Sequence, residues 1–129
     1  MFIRQHKYRA KRALRPGYSF ASKLEASLFD LLRASEAAGN IKELKVQPSV
    51  YLTDARVLMK PDFSYFNLRT NAYEWAESKG FQTDVYRIKR RLWKFYGPGP
   101  LHVYTGSAKR IRFLETIYPQ HYKKEHEEE

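Results

Sequence analysis

Leucines at 24, 28, 31 and 32 recur with the 3.6-residue period of a helix that buries one face. Ser22 and Glu25 frame its start as a capping box, and Gly39-Asn40 stops it. Glu25, Phe29 and Leu32, spaced i, i+4 and i+7, fall on the side of this helix that turns inward. Downstream the period shortens to two. Segments 44–52, 57–66 and 73–78 read as strands, separated by Thr53-Asp54-Ala55 and by the polar stretch 67–71, and predict an antiparallel meander. Pro48 has no amide to donate, so the first strand is expected at an edge or with a bulge. After Gly80 the helical period returns. Thr83 is placed as a cap, Val85, Ile88, Leu92 and Phe95 are expected to face the core, and Arg87, Arg90, Arg91 and Lys94 share the opposite face. Gly97-Pro98-Gly99-Pro100 ends that helix. A short strand over 101–104 follows, then a last helix from Ser107 as N-cap to Tyr118, closed by Pro119. The order helix, three strands, helix, strand, helix predicts an α/β fold with one sheet flanked by helices. Residues 1–17 show neither period and read as a basic mobile arm, 18–119 as one domain, and 120–129 as a charged tail.

Composition changes this picture mainly through charge. The 129 residues carry 24 Lys and Arg against 14 Asp and Glu, a formal net charge of +10. Residues 1–16 hold six basic residues and no acid, and residues 85–113 hold eight and no acid, so the remainder is mildly acidic. Charge segregated in this way creates a field over part of the surface and points to a polyanionic partner, with nucleic acid first. An anionic membrane surface would ask instead for a basic helix whose bulky apolar face is free to leave the core. Lys7, Arg9, Lys11 and Arg12 in the arm, Arg87, Arg90, Arg91 and Lys94 in the second helix, and Lys109 and Arg110 beyond it are the candidate phosphate contacts. Tyr8 and Tyr18 are placed to stack on unpaired bases. The chain has no cysteine, which removes disulfides, thiolate metal sites and a cysteine nucleophile together. No run of about 18 apolar residues could span a membrane, and the first residues lack the apolar core of a secretory leader, so the cytoplasm is the expected location.

Four polar residues stand where packing alone would not ask for them: Glu25, Asp62, Glu77 and Lys79. Positions two apart in a strand share a face, so Glu77 and Lys79 project together with Trp75. Hairpin pairing can set Asp62 beside Glu77. Two close carboxylates repel unless a cation lies between them, and such a hard oxygen site suits Mg²⁺ or Mn²⁺. A bound divalent ion activates water and neutralises charge on a phosphodiester. Lys79 would orient or help deprotonate that water and stabilise the transition state electrostatically. Glu25 is a further ligand or water-holder, or only a helix cap. Glu74 lies on the opposite face from Glu77 and is expected to be solvated. His6, His102, His121 and His126 show no ligand spacing.

Pro61-Asp62 and Glu77-Ser78-Lys79 resemble the PD-(D/E)xK nuclease signature, and the element order resembles the αβββαβ core of that restriction-endonuclease-like superfamily. Phe20-Ala21-Ser22-Lys23-Leu24-Glu25 is similar to the F-x-S-x-L-E opening of phage endonuclease I-type Holliday junction resolvases. That group continues with a P-D-F strand and an E-x-K-G strand end, here Pro61-Asp62-Phe63 and Glu77-Ser78-Lys79-Gly80. Lys79-Gly80-Phe81-Gln82-Thr83 also resembles a K-G-x-x-T segment of small uncharacterised phage proteins. The resemblance implies Asp62 and Glu77 as metal ligands, with the Ser78 carbonyl completing the site, Glu25 as the helix carboxylate and Lys79 as the catalytic lysine. It further implies a homodimer that cleaves branched DNA, in a bacterial host's cytoplasm if phage-encoded. Other nucleases of the superfamily, cutting transposon ends, mismatches or single strands, share these strings, and a catalytically silent DNA-binding protein could keep the same fold and basic face.

Overall fold

In a computed structural model that describes residues 12–80 and 84–122, the chain enters the fold as a hairpin, β1 (Ala13–Arg15) paired with β2 (Tyr18–Phe20). Pro16-Gly17 makes the turn, with Gly17 at φ +82°, a conformation open to a residue without a Cβ. The folded part therefore begins upstream of residue 18, inside the expected arm. Arg15 adds a forked ion pair to Asp30 at 2.7 Å. Tyr18 stacks on Phe20 and leans at a tilt against Phe29 at the edge of the core, and it remains 39% exposed.

Helix α1 (Lys23–Ala37) follows as its period predicts, with the Ser22 hydroxyl accepting the Glu25 amide at 3.0 Å. Five strands then form one mixed sheet, in the order β3 (Ile41–Val46), β6 (Phe63–Asn67), β7 (Ala72–Ser78), β8 (Leu101–Gly106) and β9 (Ile111–Ile117). β3, β6 and β7 are antiparallel neighbours, the meander read from the sequence. β7 runs parallel to β8, a pairing that needs a crossover, and α2 (Asp84–Tyr96) supplies it. The result is an α/β fold with the restriction-endonuclease-like order αβββαβ.

Three differences from the sequence reading have physical causes. The first two expected strands are each broken, because Pro48 and Pro61 cannot donate to a ladder. Between them a separate hairpin, β4 (Val50–Tyr51) with β5 (Leu58–Met59), folds over one sheet face. β3 is an edge strand with a register shift between Lys42 and Lys45, as Pro48 suggested.

The expected last helix is instead a strand, β9 (Ile111–Ile117), antiparallel to β8. The Ser107 hydroxyl does accept the amide three residues on, from Arg110 at 3.2 Å, but this bond closes a hairpin turn here. An N-cap and a serine turn make the same local bond, and only the partner strand decides between them.

Finally, α2 is rotated. Tyr86 and Trp93 are its buried residues, whereas Val85, Ile88 and Phe95 are more than half exposed. Trp93 outcompetes that stripe because it is the larger side chain and its indole N–H reaches the Gly99 carbonyl at 2.8 Å.

One core lies between α1 and the sheet, around Phe20, Leu28, Phe63 and Ala76. The other lies on the opposite face, around Trp93, Leu101, Val103 and Ile117. Among the described residues no helix is long and apolar enough to cross a membrane.

Candidate metal centre

Asp62 directly precedes β6. The register of Phe63 opposite Ala76 brings it across from Glu77, one step beyond the last bonded pair. Its Oδ2 accepts the Ser78 amide at 2.7 Å and the Ser78 hydroxyl at 2.9 Å, and its carbonyl accepts the Gln47 amide at 2.7 Å. Gln47 adopts φ +52°, so the chain leaving β3 is bent to make that last bond. Asp62 is thus gripped from both neighbouring strands. With Oδ2 engaged, Oδ1 is the atom left for a cation or another carboxyl.

Glu25 comes to this point from α1. Its carboxyl accepts the Ala21 amide and hydrogen-bonds Asp62, so the helix-end role and the site role coexist. The residue is only 6% exposed, and its Oε2 is buried with no hydrogen-bond partner. A carboxyl-to-carboxyl hydrogen bond needs a proton on one partner. Burial, then the charge of Asp62, pushes the Glu25 pKa up to about 7, against a smaller opposing pull from Arg12. Glu77 is likewise pushed up to about 7, by burial and by Asp62, with Lys79 and Lys89 working the other way. Asp62 is raised as well, because its burial outweighs the two Ser78 donors. Three carboxyls are therefore held where their charges are poorly compensated.

Lys79 follows β7. Its amide donates to the Tyr104 carbonyl at 2.7 Å, and its own carbonyl accepts the Thr105 hydroxyl at 2.9 Å. The ammonium lies 4.3 Å from the centre of the buried Tyr86 ring, a cation–π contact that fixes a flexible side chain. Because Lys79 turns its amide and carbonyl toward β8, Ser78 turns its own toward Asp62.

These residues suit a hard divalent cation: carboxylate oxygens, a backbone carbonyl facing them, and an orphaned buried Oε2. Among the described residues no three His, Cys, Asp or Glu side chains are close enough to enclose an ion alone. The charge of Asp62 is felt by both Glu25 and Glu77, so a cation here would be held by Asp62 with one of these carboxylates and the Ser78 carbonyl.

The expected phosphate contacts divide. Lys7, Arg9 and Lys11, with the cap Thr83, lie outside the described residues. Arg12 is exposed and anchored to the Ser19 hydroxyl and carbonyl near Glu25. Arg91, Lys94, Lys109 and Arg110 are exposed, and Arg87 is exposed although paired with Asp84. Arg90 departs from the expected free face: both its Nε and Nη2 bind Glu115, at 3.0 and 2.6 Å, tying α2 to β9. Sequence reasoning missed Tyr86 and Lys89. Tyr86 lies on the inward face of α2, legible only once the true buried face is known, and Lys89 is exposed one turn on, with its charge still felt by Glu77.

Glu74 corrects another expectation. It lies on the face opposite Glu77, as alternation requires, yet it is 4% exposed. Burial disfavours its charge, but His102, Asn67 and Thr70 hold it below the usual carboxylate range. His102 bridges Glu74 and the Thr116 hydroxyl, at 3.0 and 2.7 Å, across three adjacent strands. It is a structural residue and not an incidental one.

The sequence model of one protein family, described as protein of unknown function (DUF1064), matches residues 5–103. The match includes Glu25, Asp62, Glu77 and Lys79 and stops within β8. No curated protein matches the chain.

Proposed function

The chain belongs to that family, DUF1064, whose description carries no activity, and on this premise we propose that it is a metal-dependent endodeoxyribonuclease of PD-(D/E)xK type acting on branched DNA. The observation that carries the reading is Asp62 interacting with two further buried carboxyls, Glu25 and Glu77, all with raised pKa values, beside Lys79 at one end of the sheet. Structural carboxylates in this protein look different: Asp30, Glu74 and Glu115 each have a cationic or hydrogen-bonding partner that lowers the pKa.

Asp62 and Glu77, with the Ser78 carbonyl, would hold Mg²⁺ or Mn²⁺. The ion would supply an activated water and neutralise charge on the phosphodiester. Glu25, titrating near 7, is matched to accept a proton from the attacking water at Oε2. Lys79, held on Tyr86, faces the charge that grows on the phosphoryl oxygens as the water oxygen bonds to phosphorus and a P–O ester bond breaks. The exposed cations of α2 and of the β8–β9 turn would hold the DNA arms through phosphate contacts. Symmetric cutting of a four-way junction calls for two such sites and hence a homodimer. On this reading the activity would lie in the cytoplasm, that of the bacterial host if the chain is phage-encoded.

The test compares four-way junction, flap, single-stranded and linear duplex DNA in one cleavage assay with Mg²⁺ or Mn²⁺. Paired nicks in the junction are expected, with Asp62→Asn and Lys79→Ala losing about 100-fold or more in rate while still binding DNA. Cleavage unchanged in both variants overturns the proposal. Salt-sensitive, metal-indifferent binding with no cleavage does the same and leaves a DNA-binding protein on this fold.

A further inference from the structure

A cleft of about 480 Å³ opens on the sheet face that carries Glu77. Trp75 and Tyr73 of β7 and Tyr51 of β4 wall it, Ser64 of β6 lies in its floor, and Glu43 and Lys45 of β3 stand at its rim. Trp75 and Ser64 are cross-strand partners. The next residues on the same face, moving toward the end of the sheet, are Glu77 and Asp62, so the cleft begins about 7 Å from the carboxylates.

Its walls are built to stay in place. The edge of Trp93 packs against Trp75 with ring centres 5.6 Å apart, and a Cβ at Gly99 would fall 2.8 Å from Trp75 Cζ3. The indole is clamped between helix and loop. At the rim, the Tyr73 hydroxyl donates to the Glu43 carboxylate at 3.0 Å. Glu43 takes φ +57° within the register shift of β3, a bulge that aims its side chain at the cleft.

The lining has one acid and one base, no net charge, in a protein whose exposed surface is otherwise strongly basic. A phosphate would meet Glu43, and a purely apolar ligand would desolvate the charges of Glu43 and Lys45. A flat heterocycle with both donors and acceptors satisfies every wall: its faces stack on the aromatic rings, its amino group meets Glu43, and its carbonyl meets Lys45 or Ser64.

We propose that this cleft receives one unpaired nucleobase of the DNA, adjacent to the phosphate held at the carboxylate centre. The proposal rests on the nuclease reading and deepens it, by making an unstacked nucleotide part of what is recognised. Flaps and single-stranded branches offer such a base outright, and a four-way junction offers crossover pairs that lack one stacking neighbour and so cost less to open than continuous duplex.

The experiment measures binding with chelator present, so that no cleavage is needed. A short single strand, the same strand with abasic positions, and a duplex are titrated by fluorescence anisotropy. The abasic strand is expected to bind about tenfold more weakly than the intact one. Tyr51→Ala combined with Tyr73→Ala is expected to abolish that difference and leave duplex affinity unchanged. Both tyrosines are about half exposed, so the variant retains the fold, and thermal unfolding verifies this. Equal affinity for intact and abasic strands overturns the proposal, as does a variant that weakens duplex and single strand alike. Base-selective binding without cleavage under any metal would refute the nuclease reading and leave the cleft assigned. Cleavage without base selectivity would refute the cleft alone.

Discussion

Glu25 concentrates the electrostatic tension of the site in one side chain. In the unfolded chain its carboxyl titrates near 4.5, and in the fold near 7. The folded state therefore binds the proton more tightly. Stability is highest below 4.5, falls as pH rises through the window between the two values, and is fully lost by this group above 7. Glu77 has the same sign and window. Glu25→Gln keeps the acceptor for the Ala21 amide and never ionises. In chelator it is expected to raise the melting temperature at pH 8 and to bring no gain at pH 4, as circular dichroism melts would show. Mg²⁺ at pH 8 is expected to stabilise the wild type more than this variant, because the ion relieves a charge the variant lacks. A variant no more stable than wild type at pH 8 would mean that Glu25 is not strained.

Among the elements, α2 is the one whose placement decides the site. Its Tyr86 seats Lys79, its Trp93 braces Trp75, and its Arg90 is clipped to Glu115 of β9. The helix stops because Gly97 folds back on Trp93. A Cβ there would lie 2.6 Å from the Trp93 carbonyl oxygen and 2.7 Å from its indole nitrogen. Neither neighbour can yield, since Trp93 is fully buried and bonded to Gly99. Gly97→Ala is expected to cost about 1–3 kcal/mol by overpacking, a fall of roughly 5 °C or more in melting temperature. A melt unchanged from wild type would show that the loop relaxes freely around the methyl group.

On the scale of the molecule, the net charge of +10 is unevenly available for binding. Arg91 and Lys94 are exposed, whereas Arg90 is consumed by a bidentate pair that joins helix to sheet. The two kinds of cation are expected to separate experimentally. Arg91→Gln and Lys94→Gln should each lower the slope of log affinity against log salt by about one while leaving the melt unchanged. Arg90→Gln should lower the melting temperature and leave the slope nearly unchanged. A full unit lost from the slope in Arg90→Gln would place that residue on the DNA.

The sequence by itself determined what is local or strictly periodic. Ser22 and the leucine spacing specify α1, the alternation of Tyr73 to Ser78 specifies which residues of β7 share a face, and Pro48 marks β3 as an irregular edge strand. The order αβββαβ follows from these, and with it the neighbourhood of Asp62 and Glu77, because a meander leaves adjacent strands few registers. Tertiary structure decided wherever two partners competed for one local pattern. Ser107 makes the same hydrogen bond in a cap or a turn, and β8 settled it as a turn by pairing with β9. Val85, Ile88 and Phe95 form a sound apolar stripe, yet Trp93 took the core because burying it gains more and its N–H had an acceptor waiting. Glu74 reads as a solvated carboxylate until β8, remote in sequence, brings His102 to join Asn67 and Thr70 in satisfying it, with Thr116 holding the other side of the imidazole. The site shows both limits: its carboxylates were legible as types in order, while their raised pKa values, the Tyr86 seat and the cleft beside them exist only where distant segments meet and exclude water.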